Sequence, residues 1–76
     1  MPHIIVKLYS GRSEQQKAKL AEVVTNAVMA SLGSDAASIS VGIQDVKPEE
    51  WVEKVYKPDI QDSPETIYKK PGYNPL

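Results

Sequence analysis

A proline directly after the initiator methionine, Met1-Pro2, is the one place in this chain where the main chain itself could do chemistry. Removal of Met1, the usual fate of an initiator methionine before a small residue, would leave Pro2 with a free secondary amine. An α-amino group titrates at about 7.7–8.0, and an apolar pocket or a nearby cation lowers that value by disfavouring the ammonium form. Such an amine is neutral at cellular pH and can serve as a general base. A retained Met1 would make the same nitrogen an amide with no basicity. The common catalytic constellations are missing: the chain has no Cys, one His, no Gly-x-Ser-x-Gly elbow and no Gly-rich phosphate loop. Neither a thiolate metal site nor a histidine cage can be built, so no metal or cofactor is expected.

The elements that must position Pro2 are legible in the apolar pattern. From His3 to about Tyr9, Ile4, Val6 and Leu8 alternate with His3, Ile5, Lys7 and Tyr9, which predicts a strand. Gly11 ends it, and Ser13 with Gln16 three residues on has the form of a capping box. Leu20, Ala21, Val24, Ala27, Val28 and Leu32 then recur at helical spacing, opposite Glu14, Lys17, Lys19, Glu22 and Asn26, and Gly33 supplies the stop. Ile39, Val41 and Ile43 alternate with Ser38, Ser40, Gly42 and Gln44 in a second strand. Strand, helix, strand is one βαβ unit with parallel strands. Further on, Pro48 predicts a short helix through Trp51, Val52, Val55 and Tyr56, stopped near Pro58, and a second helical turn is expected from Pro64 to Lys69. Lys70 to Leu76 reads as a turn-forming arm that lies across a neighbour.

Size adds a constraint. The 76 residues form a single α/β domain, 1–76, and a chain of this length buries only about 60% of the surface its unfolded form exposes. One such core supplies roughly 3–5 kcal/mol, and with disulfides and metals closed off, a homo-oligomer is the remaining source of stability. A four-stranded sheet shared by two subunits is the simplest way to hide the strand edges. Nine Lys and Arg against ten Asp and Glu, scattered along the chain, give a formal charge of −1, which argues against a nucleic-acid partner. No apolar run approaches the roughly 20 residues of a membrane span, and no charged leader precedes one, so no membrane partner and a cytoplasmic location are expected.

Pro2 heading a strand, Gly11-Arg12-Ser13-Glu14-Gln15-Gln16-Lys17 opening a long helix, an Ile/Val strand and an aromatic at position 51 together resemble the 4-oxalocrotonate tautomerase family. Lys47-Pro48-Glu49-Glu50 before Trp51 and the ending Lys69-Lys70-Pro71-Gly72-Tyr73 are similar to its phenylpyruvate-type subgroup. The resemblance implies a tautomerase-type fold and a cofactor-independent isomerase that interconverts keto and enol forms. In that reading Pro2 is the general base, Arg12 engages the substrate carboxylate, and Trp51 walls the pocket and keeps its dielectric low. These residues would come from different subunits, and the subgroup implies a homodimer rather than a hexamer. Ser40 stands where the 4-oxalocrotonate enzymes carry a second substrate-binding arginine. With Ser40 in the site, a small monocarboxylate enol such as enol-phenylpyruvate is expected to fit better than a dicarboxylate.

Plainer roles compete for each residue. Arg12 taken alone is a solvated loop cation, and Trp51 is of a size to plug a subunit interface. His3, Lys7 and Tyr9 share one strand face and read as interface residues, while Ser38, Ser40 and Gln44 could simply satisfy local polarity. Two other functions stand beside tautomerisation. A related hydratase or dehalogenase on unsaturated acids would need a second arginine and an acidic water-activating residue, against which Ser40 argues. A non-enzymatic oligomeric binding module would be favoured if Met1 were retained.

Overall fold

The computed structural model describes all 76 residues, Met1–Leu76. Strand β1 (His3–Tyr9) runs into helix α1 (Glu14–Leu32), and the chain returns through a 3₁₀ turn, Ala36–Ser38, to strand β2 (Ser40–Val46). The strands pair in parallel, with Ile4 opposite Val41, Val6 opposite Ile43 and Leu8 opposite Asp45. This is the βαβ unit that the alternating pattern predicts. Paired residues in a parallel sheet share a face, so α1 covers Ile4, Val6, Leu8, Val41 and Ile43 with the stripe of Leu20, Ala21, Val24 and Val28, all of them half-buried.

The helix ends are built as the sequence suggests. Ser13 Oγ accepts the Gln16 N–H at 3.1 Å, and the Gln16 side chain accepts the Ser13 N–H at 3.1 Å. Gly33 closes α1 in the left-handed region, φ 72°, its N–H bonded to Met29 O. Gly11, at φ 119°, makes the sharp exit from β1 that only a residue without Cβ takes readily.

The second half departs from expectation in three ways. After a 3₁₀ turn, Pro48–Glu50, the chain forms a π-helix, Val52–Gln61, which runs through Pro58 instead of stopping there. In an α-helix the Pro58 ring would press on the carbonyl four residues back; the wider π turn, seen in the Asp62 N–H to Lys57 O bond of 2.9 Å, relieves that contact. Lys7 Nζ donates to Asp59 at 2.5 Å and ties this helix to the sheet face opposite α1. The turn expected over Pro64 to Lys69 is confined to Pro64–Thr66. The closing arm, expected across a neighbour, folds back on its own chain: Tyr73 lies with its ring 5.8 Å from that of Tyr56.

The core is thin. Val46 and Val55, where the π-helix meets β2, are the only buried residues, and neither is wholly sealed from solvent. The chain exposes 5694 Å², about 1,100 Å² more than the roughly 4,600 Å² a compact monomer of its mass shows. Its radius of gyration, 13.8 Å, likewise exceeds the about 11 Å of a compact chain this long. The excess is close to the roughly 800 Å² that each partner contributes to a standard protein interface. Exposed apolar residues include Ile5 on the uncovered end of the sheet and Leu32 on α1. No helix is long and apolar enough to cross a membrane.

Gly33→Ala forces a Cβ into the left-handed region and is expected to destabilise the protein by about 1 kcal/mol. That corresponds to a fall of roughly 4–8 °C in the melting midpoint, read by circular dichroism at one fixed protein concentration. An unchanged midpoint would contradict this role for Gly33.

Candidate functional site

Parallel pairing divides the sequence-predicted site residues between the two ends of the sheet. At the N-terminal end, the Pro2 carbonyl accepts the Ser40 N–H at 3.2 Å, extending the ladder one residue before β1. Ser40 Oγ lies 2.6 Å from His3 Nδ1. The hydroxyl donates when Nδ1 is bare and accepts when it carries a proton. Pro2 and Ser40 are thus neighbours, and the ring of Pro2 is half-buried while Met1 stands fully exposed.

Arg12 lies at the far end. The ladder closes with Ser10 N–H to Val46 O at 3.0 Å, the chain turns at Gly11, and Arg12 precedes the Ser13 cap. Arg12, Leu8, Gln16, Lys17 and Leu20 line a cleft of about 310 Å³ between β1 and α1. Two cations share this cleft, but only one is free. Lys17 Nζ sits 3.0 Å from Asp45 and 3.1 Å from Glu14. The Asp45 carboxylate first, and Glu14 second, hold the Lys17 ammonium above its ordinary pKa. Arg12 takes part in none of the chain's ion pairs. Its planar fork of donors remains available to a carboxylate.

Trp51 is at this same end, on the other sheet face. It sits where the Pro48–Glu50 turn passes into the π-helix. Its ring meets that of Tyr9 edge-on, with centroids 5.2 Å apart at 82°, a favoured aromatic geometry. Its indole N–H donates to the Tyr73 hydroxyl at 3.0 Å. Tyr9, Trp51 and Tyr73 bound a pocket of about 260 Å³.

The strand between the two ends separates them by roughly 20 Å at 3.3 Å per residue. Within one chain, therefore, the Pro2 end and the Arg12 and Trp51 end do not meet. Sequence reasoning missed two contributors. Lys17 was placed on the solvated face of α1, yet its side chain is only 16% exposed; its spacing three residues after Glu14 was the available signal. Tyr73 belongs to the ending that carries the subgroup resemblance, but its contact with Trp51 has no sequence signal, because it depends on how the arm folds back.

A model of the Tautomerase enzyme family matches residues 2–55. A protein described as a probable tautomerase in Xylella fastidiosa is 43% identical over 76 residues, spanning 100% of this chain and 93% of that protein. Tautomerase PptA of Escherichia coli is 40% identical over 75 residues, spanning 97% of this chain and 99% of its own. Among solved structures, TomN, a 4-oxalocrotonate tautomerase homologue of the tomaymycin biosynthetic pathway, aligns with a TM-score of 0.64 and 38% identity over 66% of this chain and 77% of that one. A heterohexamer 4-oxalocrotonate tautomerase from Chloroflexus aurantiacus aligns at 0.65 with 33% identity over 67% of this chain and 82% of that one.

The Lys17 pairing sets a pH dependence. A raised folded-state pKa stabilises the fold at every pH below the unfolded value, about 10.4, and that contribution is lost as pH rises through the folded value. Asp45→Asn is therefore expected to move the Lys17 titration down towards its ordinary midpoint, followed by NMR of the ε-methylene. A midpoint unmoved by the substitution would show that Asp45 does not hold the ammonium.

Proposed function

The chain belongs to the Tautomerase enzyme family and is a tautomerase; from that premise we propose that it moves a proton between the oxygen and the α-carbon of a monocarboxylate enol, with the amine of Pro2 as general base. The observation that carries this reading is that the family match begins at residue 2, the head of β1, and omits Met1. With Met1 removed, the Pro2 nitrogen becomes the chain's terminal amine at the exposed end of the sheet. It takes the enol proton and returns one to carbon, ending the cycle as it began, so no redox partner is involved.

In this reading Arg12 pairs with the substrate carboxylate through its bidentate fork and draws charge away from the reacting carbons. Trp51 supplies an apolar wall that keeps the amine in its neutral form. Ser40, hydrogen-bonded to His3, offers a hydroxyl rather than a second cation beside Pro2. That favours one carboxylate on the substrate and an aromatic or apolar tail, as in enol-phenylpyruvate.

The distance between Pro2 and Arg12 is closed by a second copy. Two-fold, antiparallel pairing of sheets through a free strand edge sets the N-terminal end of one protomer's strands beside the C-terminal end of the other's. Arg12 and Trp51 then approach the partner's Pro2, and each active site spans the interface. The roughly 1,100 Å² of surplus surface supports a dimer as the minimal unit.

Protein whose mass confirms loss of Met1 is expected to accelerate ketonisation of enol-phenylpyruvate. Blocking the Pro2 nitrogen should cost about 10²–10⁴-fold, the usual worth of a general base. Arg12→Ala should lower kcat/KM by roughly 10–100-fold, mainly through KM, as loss of a charge-assisted contact does. Equal rates in the trimmed, blocked and Arg12→Ala proteins would sink the assignment.

A further inference from the structure

We infer that Tyr73, on the C-terminal arm, is a positioning residue that holds Trp51 and with Tyr9 forms a slot for the aromatic ring of the substrate. This rests on the proposed reaction for the word substrate, but the slot itself is a property of one chain. Tyr73 lies beyond residues 2–55, so the family match assigns it nothing.

Three contacts define the device. The indole N–H of Trp51 can only donate, and the Tyr73 oxygen accepts it at 3.0 Å. The phenol proton is left free to reach a polar atom of a bound ligand. Tyr9 fixes the other edge of the indole, with ring centroids 5.2 Å apart. Tyr56 supports Tyr73 from the π-helix at 5.8 Å. The open slot between them, about 260 Å³, falls just below the roughly 300–1,000 Å³ typical of pockets for drug-sized ligands, which suits one planar ring. Its walls are wholly aromatic, and Tyr9 is joined to Arg12 by only Ser10 and Gly11. The slot and the Arg12 cleft therefore lie at the same end of the sheet, on its two faces.

Trp51 is the sole tryptophan of the chain, so its emission reports this slot alone. The test uses 3-phenylpropanoate and propanoate, which differ by the ring, titrated against Trp51 fluorescence; neither Met1 removal nor turnover is needed. The wild-type protein should bind 3-phenylpropanoate more tightly than propanoate. Tyr73→Phe keeps the ring and removes the acceptor. It is expected to shift the emission to the red and weaken 3-phenylpropanoate by about fivefold, the worth of one net hydrogen bond, leaving propanoate unchanged. Tyr73→His, which restores an acceptor, should recover the emission. Identical emission and affinities in wild type and Tyr73→Phe, an equal loss for both ligands, or no ring preference in the wild type would each overturn the inference. Absence of ketonisation with the ring preference intact would instead count against Pro2 as base and leave the slot standing.

Discussion

Parallel, in-register pairing of β1 with β2 is the constraint on which the rest of this structure depends. A crossover helix allows the two strands to run the same way, and that common direction gives the sheet one end where both strands begin and another where both finish. Pro2 and Ser40 fall at the first end, Arg12 and Trp51 at the second. An antiparallel hairpin would have mixed these residues at one end. The parallel unit separates Pro2 from Arg12 by the length of a strand, and in the proposed reaction a second copy reunites them.

The same topology explains why so little is buried. α1 covers one sheet face, and the π-helix covers the opposite face only at its C-terminal end, where Lys7 pairs with Asp59 and Val46 and Val55 are buried. Ile5, opposite Gly42, is left half exposed. A sheet face left half-open at the Pro2 end is a poor monomer and a ready interface. In the proposed assembly stability and catalysis draw on one surface, because what covers Ile5 also lies at the Pro2 end of the sheet.

Local signals carried the first half of the chain. The alternation of β1, the Ser13 and Gln16 box and the Gly33 stop each depend on residues within one turn of each other, so their meaning does not wait on tertiary structure. The second half depends on long-range contacts. Pro58 reads as a helix stop because that is its effect in an α-helix; the π geometry that tolerates it accompanies the pairing of Asp59 with Lys7, 52 residues earlier. Tyr73 joins Trp51 at a separation of 22 residues, past the π-helix and the Pro64–Thr66 turn, a pairing no periodicity encodes. Of the site, the residue types were legible from the resemblance. Their distribution over the two sheet ends followed from βαβ topology, and the neutralisation of Lys17 did not, because it needs Asp45 from β2 against α1.

That neutralisation bears on what kind of acid the site suits. A cleft with two free cations would attract a dicarboxylate, since each charge-assisted contact adds independently to binding. Here Asp45 and Glu14 occupy Lys17, leaving Arg12 alone. At the other end of the sheet, Ser40 and His3 satisfy each other at 2.6 Å and present a hydroxyl and an imidazole rather than a guanidinium. A second carboxylate would lose hydration at either place without gaining an unshared counter-charge. An aromatic tail meets no such cost in the slot of Tyr9, Trp51 and Tyr73. The charge pattern and the apolar pattern thus lend independent support to the proposed monocarboxylate substrate with an aromatic tail.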